Sequence, residues 1–585
     1  MAVIALSTIL TAVKAGVALI GVGKIAILPF LIAAVTYFHY DQFDPENRPV
    51  DRKQVDSSYD FIIVGGGSAG SVLANRLTEI AGWKVLLLEA GGHETEITDV
   101  PILSLYLHKS KVDWGYKTEP QETACQAMVE NRCSWTRGKV LGGSSVLNTM
   151  LYIRGNKRDF NRWADYGNEG WSYEEVLPYF KKSEDQRNPY LAKNRRYHST
   201  ELVEKSGQSM IQPEEVLIID EPELSVTADH AAIQINMTPP LVNDETFTAE
   251  PGNKGVTEPL LSKTDKELKT AVPSPSALSD QSIFQNKDLT SNDEQQPSTS
   301  QNLQDHISSV VTFLIDHPIS LVINRLVNLN TALRYAVKED GPLTSSIGLE
   351  TVGFIPTKYA NRSDDWPDME FMLTSTTTPA DGGTQVKKAH GLSDEFYKEV
   401  YESINFIPSI MSNNPLEYPL LYHNYLTHPH DVNVLREGTK AAVAFGQTEA
   451  LKRFGARFHS VPVPKCKHLP QFTDEYWNCY IRQYTLSIYH YSCTAKMGPE
   501  SDPYAVVDPQ LRVYGISGLR VIDASIMPFI TNGNINAPVI MIGEKGADLV
   551  KSYWLTPTTR KRRRDISVNY NMKLQEKPYC NETLT

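Results

Sequence analysis

Little in this chain suits a nucleic acid. Among 585 residues, 57 Lys and Arg stand against 69 Asp and Glu, a formal net charge of −12. Such a chain repels a polyphosphate, which excludes nucleic acid as the main partner. Cysteine is scarce as well. The six present include no C-x-x-C pair and no accompanying histidine cluster, which argues against a zinc site and leaves no expected metal. Cys125 with Cys133, and Cys466 with Cys479, are close enough in sequence for two local disulfides in an oxidising compartment; buried free thiols are the alternative. Residues 201–300 lack Tyr, Trp, Cys and Arg, and their only aromatics are Phe247 and Phe284. They hold 18 acidic residues against 6 lysines, so this stretch alone accounts for the net charge. It cannot bury enough apolar surface to offset its ordering entropy. Residues 201–300 are therefore expected to be a largely disordered acidic Ser/Thr/Pro-rich segment, with residues 214–219 as its one short element.

Long uncharged apolar runs are missing except at the N-terminus. Residues 1–38 are almost wholly apolar, with only Lys14 and Lys24 charged. This hydrophobic segment reads as a signal peptide or membrane anchor. It places the rest in the secretory pathway, extracellular or membrane-anchored outside the cytosol, with cleavage versus anchoring left open. Sequons at Asn361 and Asn581 are compatible with that route.

What is present begins at residues 59–92. Phe61–Val64 is an apolar run without alternation, as expected of a parallel strand buried on both faces. Gly65, Gly67 and Gly70 follow at G-x-G-x-x-G spacing, and Ser68 and Ala69 open a helical period. The three glycines suit a tight turn, close approach to a pyrophosphate, and close helix–strand packing. A second strand, Val85–Leu88, ends in Glu89 and Ala90, where an acid would accept hydrogen bonds from an adenosine ribose. A lone glycine motif is weak. Strand, glycines, helix, strand and acid together define a dinucleotide-binding unit in an α/β, Rossmann-like fold.

A second glycine-rich stretch runs Trp135-Thr-Arg-Gly-Lys-Val-Leu-Gly-Gly-Ser-Ser-Val-Leu-Asn148. Gly142, Gly143, Ser144 and Ser145 offer open backbone N–H groups and hydroxyls to an anionic or ring-bearing ligand. This stretch resembles the first signature of the glucose–methanol–choline (GMC) flavin oxidoreductases. The resemblance covers about residues 59–200 and 301–550, and implies FAD as cofactor. It implies an FAD-binding domain in two parts, 59–200 and 465–550, and an α+β substrate domain over 301–464, an antiparallel sheet with helices. A basic tail, 551–585, follows. By resemblance, FAD contacts come from Gly65, Gly67, Ser68, Ala69, Gly70, Glu89, Ala90, Arg137, Gly138, Gly142, Gly143, Ser144, Asn148 and Met150. Asp523, Ala524, Asn534 and Ala537 are added from the C-terminal part. The family's second signature, a Gly-Ala-Ile-x-Ser-Pro type turn, is absent; the region that would hold it is the acidic segment.

Near the C-terminus, Tyr489-His-Tyr-Ser-Cys-Thr-Ala-Lys-Met-Gly498 resembles the family's H-x-x-G-T-x-x-M-G stretch. The resemblance makes His490 the catalytic base and Asn534 the second catalytic residue. Residues 519–525 read as a strand ending in a turn, and residues 533–548 as a loop entering an apolar helix. Oxidising an alcohol requires removal of the hydroxyl proton as hydride leaves carbon for flavin N5. A histidine can take that proton, and a neighbouring amide can hold the oxygen. The implied partners are a small alcohol or sugar and an electron acceptor, quinone or oxygen. Cys493 stands where the family usually has glycine; if that position needs positive φ, its side chain is strained. With the replaced middle, this motivates an alternative: a catalytically impaired member acting as a secreted or membrane-bound binding protein. An NAD-dependent dehydrogenase is disfavoured by the flavin-type stretch at residues 142–148.

Overall fold

A computed structural model describes residues 54–185, 231–238, 302–401 and 421–556, apart from single positions 96, 318, 327 and 339. Residues 1–38, residues 214–219, the Asn581 sequon and most of the basic tail lie outside these. No helix among the described residues is long and apolar enough to cross a membrane.

Strand β1 (Phe61–Val64), helix α1 (Ser68–Thr78) and strand β2 (Val85–Leu88) form the expected first unit. The strands pair in parallel, Phe61 beside Val85 through Val64 beside Leu88, so a crossover is required and α1 supplies it. Burial of β1 on both faces is not observed. Ile63 is buried against α1, but Ile62 and Val64 are 59% and 82% exposed, because among the described residues β1 pairs only with β2. Helices α2 (Lys157–Asp165) and α3 (Tyr173–Ser183) each open on a capping box, Asn156 with Asp159 and Ser172 with Glu175.

The expectation of disorder fails at Ala231–Thr238. These eight residues form β3, hydrogen-bonded antiparallel to β4 (Ile307–Ile315). Strand β5 (Leu349–Ile355) pairs with β6 (Met369–Thr374), and β6 pairs with the other edge of β3. In sequence, Ile233, Ile235 and Met237 alternate with Gln234, Asn236 and Thr238, a period-two pattern that the acidic composition around it averages away. Helices α4 (Pro429–Gly446) and α5 (Asp474–Gln483) follow, and β7 (Thr485–Ser487) joins the far edge of β4. The sheet order is β7-β4-β3-β6-β5, and the two-residue strand Arg457–Phe458 also pairs with β4.

This antiparallel sheet with helices matches the architecture read for residues 301–464, but its core reaches further. Tyr476, Trp477, Ile481 and Tyr484 pack with Val310, Val311 and Phe313 in one buried cluster. Helix α5 and β7 thus complete the sheet-bearing unit rather than the nucleotide-binding one, since their apolar faces are covered there. Both disulfides are formed, Cys125–Cys133 and Cys466–Cys479. The second bridges residues 13 apart. Converting both of its cysteines to serine should cost about 3 kcal/mol in denaturant unfolding, the entropy of a loop near that length.

The expected strand over residues 519–525 is absent. Val521 N–H donates to the Leu511 carbonyl at 3.2 Å, and residues 524–526 form a short 3₁₀ turn capped by Asp523. Helix α6 (Asn536–Leu555) extends into what was read as tail. It crosses α1 closely: a Cβ on Gly543 would lie 3.1 Å from Ala69 Cα. The Arg76 guanidinium grips the buried Glu544 through two 2.8 Å hydrogen bonds, tying α1 to α6.

Candidate active site

The two glycine-rich turns meet face to face. Gly142 N–H donates to the Gly66 carbonyl at 2.7 Å, and a Cβ on Gly143 would stand 2.7 Å from Gly67 Cα. Gly65 adopts φ +97° with open space where its Cβ would be, so the backbone there is accessible to a ligand. The α1 N-terminus is linked to the second turn and to α6: Ser68 Oγ lies 2.7 Å from Ser145 Oγ and donates to Asn536 Oδ1 at 2.8 Å. Glu89 accepts from Gly66 N–H and Gly91 N–H, each at 2.7 Å, which fixes its carboxylate at the end of β2. A carboxylate oxygen has a further lone pair, so the ribose role read for Glu89 is compatible with these bonds.

These elements border a cavity of about 2070 Å³. That exceeds the roughly 300–1,000 Å³ of an ordinary small-molecule pocket and leaves room for a dinucleotide with a substrate. Of the residues read as site residues, Gly65, Gly67, Ser68, Ala69, Gly70, Glu89, Ala90, Arg137, Gly138, Gly143, Ser144, Asn148, His490, Asp523, Ala524 and Asn534 line it. Gly142, Met150 and Ala537 do not. Gly142 stands behind the turn, bonded to Gly66. Met150 is 49% exposed at φ +54°, and Ala537 is buried in the core beneath the first turn of α6.

At the far side of the cavity, sheet topology brings in His490. β4 and β7 are antiparallel neighbours, so His306, just before β4, comes beside His490, just after β7. Asp305 binds both segments: its Oδ1 accepts from His306 N–H at 2.9 Å and from His490 N–H at 2.8 Å. Its Oδ2 accepts from the hydroxyls of Ser487 and Tyr425. Burial pushes the Asp305 carboxyl up to about 6, against the pull of those bonds. His490 Nδ1 lies 2.8 Å from His306 Nδ1, and His490 Nε2 lies 3.2 Å from Asn534 Nδ2. Burial, then the neighbouring His306, holds His490 well below its usual range, so the ring is a neutral imidazole.

Asn534 is held by a clamp from α2. Buried Asp159 accepts from Asn532 N–H at 2.8 Å and from Trp366 Nε1 at 3.0 Å, and Asn532 Nδ2 donates to the Pro367 carbonyl. Gly533 then turns at φ +80° with Ile153 and Phe354 close by, setting Asn534 against His490. The Asn534 Oδ1 is buried without a partner, a polar atom in a cavity wall that a ligand can satisfy.

Two family models match the chain, both described as GMC oxidoreductase: an N-terminal model over residues 59–235 and a C-terminal one over residues 409–543. A glucose dehydrogenase [FAD, quinone] of Drosophila melanogaster is 35% identical over 565 residues, covering 86% of this chain and 88% of that one. This chain belongs to the GMC oxidoreductase family. It is an FAD-dependent oxidoreductase, and the glycine cradle, Glu89 and the cavity fit that cofactor. The N-terminal match reaches residue 235, past the point near residue 200 where the resemblance was read to stop. It enters β3. An oxygen-dependent choline dehydrogenase of Pseudomonas fluorescens (strain SBW25) is 31% identical over 84% of this GMC chain and 94% of its own. Among solved structures, a formate oxidase of Aspergillus oryzae RIB40 superposes with a TM-score of 0.51 at 19% identity, covering 85% of this chain and 99% of that one. A fungal aryl-alcohol oxidase gives 0.51 at 16%, covering 86% and 100%. At these identities the two structures speak for the fold alone.

Sequence reasoning missed Asp305, His306 and His108 as site residues. The first two precede a long apolar strand, and only the β4–β7 pairing reveals their place. His108 is buried at the cavity wall, edge-on to Tyr489 at 5.1 Å, with Nδ1 lacking a partner; a lone histidine in sequence carries no such signal.

Cys493 is fully buried at φ +74°, the left-handed conformation that glycine tolerates without penalty. Cys493→Gly should therefore be about 1 kcal/mol more stable than Cys493→Ala, since both lose the thiol but only glycine releases the Cβ strain. Thermal melts of the pair measure this directly.

Proposed function

We propose that this enzyme oxidises the hydroxyl of a small alcohol or sugar, with His490 as base and Asn534 as the oxygen holder. The observation that carries the reading is the 3.2 Å approach of Asn534 Nδ2 to His490 Nε2 at the wall of the glycine-bordered cavity. One substrate oxygen between them donates its proton to Nε2 and accepts from Nδ2. As the proton leaves, the amide N–H stabilises negative charge developing on oxygen. When bound, FAD supplies the acceptor for the hydride. Arg137, Gly138 and Asn148, which line the same cavity, would hold the cofactor.

The relatives support the substrate class, since glucose and choline both carry hydroxyls, and their names offer quinone and oxygen as acceptors. The two disulfides support an oxidising compartment for the folded part, reached through the secretory pathway. A panel of sugars and alcohols, assayed with a quinone under nitrogen and separately with oxygen, tests the reading. Turnover of at least one hydroxyl donor with one acceptor is expected. A flavin-loaded protein inert toward the whole panel with both acceptors contradicts it. A second reading, a catalytically impaired family member acting as a secreted or membrane-bound binding protein, draws on exposed Ile62 and Val64 beside the nucleotide turn. A folded, flavin-free protein would favour it.

A further inference from the structure

We propose that His306 is a positioning residue that holds His490 in the tautomer with its proton on Nδ1, leaving Nε2 as the lone-pair nitrogen facing the cavity. This rests on the reading of His490 as base. The partners dictate the assignment. An Nδ1-to-Nδ1 contact of 2.8 Å between two imidazoles needs one proton between them, because two lone pairs or two protons at that distance repel. His490 Nε2 faces the Asn534 amide nitrogen, a donor only, so Nε2 must be the acceptor. The neutral His490 ring then carries its proton on Nδ1 and donates it to His306 Nδ1.

His306 suits this role. It is fully enclosed, and burial pushes it down to about 3, so it stays neutral; with its lone pair on Nδ1 its own proton sits on Nε2, which is buried without a partner. Its ring stands edge-on to His490, 83° between planes, and its backbone N–H shares Asp305 Oδ1 with that of His490. The two backbone segments that carry the rings are thus held by one carboxylate. Once His490 accepts the substrate proton at Nε2, its Nδ1–H becomes a charged donor to the His306 lone pair, and that bond strengthens as charge develops. His306 does not line the cavity, so it acts through His490.

Three variants test this by anaerobic flavin reduction. His306→Leu removes the acceptor and should slow reduction by about 10- to 100-fold, the effect of one buried donor left without a partner, with KM nearly unchanged and FAD retained. His306→Asn returns an oxygen acceptor and should recover most of the loss. His490→Ala should abolish reduction. If His490→Ala loses activity while His306→Leu reduces flavin at the normal rate, or if Asn rescues nothing, the role of His306 is overturned and the base stands. Unchanged reduction in His490→Ala would overturn the base itself. Should the leucine variant fail to fold, nitrogen NMR of histidine-labelled wild-type protein decides. A pyridine-type Nε2 on His490 is expected, and a protonated Nε2 contradicts the assignment.

Discussion

Replacing His490 by alanine is expected to lower the rate of flavin reduction by about 100- to 10,000-fold, the contribution of a positioned general base. The bound cofactor should remain. His490 enters the cavity from the loop after β7, whereas the glycine turns enter from β1 and residues 138–145, so the dinucleotide cradle stays intact without the imidazole. His490 is 8% exposed, and loss of its ring removes a proton acceptor from the cavity wall while its backbone N–H bond to Asp305 can persist. Stopped-flow mixing with substrate under nitrogen, beside the resting flavin spectrum, separates chemistry from binding. Reduction at the normal rate would place the base elsewhere. Loss of the flavin spectrum would make His490 a packing residue.

A single methyl group at Gly70 is expected to remove FAD and destabilise the fold. A Cβ there would lie 1.9 Å from the Gly65 carbonyl oxygen and 3.1 Å from its carbon, a contact with backbone that no rotamer relieves. Either α1 moves off β1 or the Gly65 turn shifts, and the turn is the part that approaches the pyrophosphate. Gly70→Ala should cost about 1–3 kcal/mol, as overpacking does, and should yield protein with little or no flavin absorbance. Gly82→Ala is the control. Gly82 has positive φ, +87°, which Gly70 does not, but open space where a Cβ would stand. That substitution should cost only the backbone strain, about 1 kcal/mol, and leave FAD bound. Equal flavin content in the two variants would show that the Gly65–Gly70 contact is not critical to cofactor binding.

The difference between these glycines also marks how much of the molecule could be read without coordinates. The G-x-G-x-x-G spacing, the strand on either side and Glu89 are local features, and the β1–α1–β2 unit follows them closely. His490 and Asn534 were legible through resemblance, and the fold brings them within hydrogen-bonding distance although 44 residues separate them. Long-range pairing was not legible. The Asp305–His306 contribution depends on β4 lying beside β7, some 180 residues away in sequence. Strand β3 was hidden for another reason. Its last six residues alternate like a strand, but a composition taken over 100 residues registers acid and serine instead. Ile62 and Val64 failed in the opposite sense: an apolar run signals a strand, but burial of both faces requires neighbours that the run itself does not specify.

The central claim is that the glycine cradle and the His490–Asn534 pair form one working site. Purified full-length protein, mixed under nitrogen with a sugar or alcohol substrate while its visible absorbance is followed, tests this most directly. An oxidised flavin spectrum is expected at rest, bleaching on substrate addition and returning when a quinone or oxygen is admitted. A well-folded, colourless protein that takes up no added FAD would contradict it.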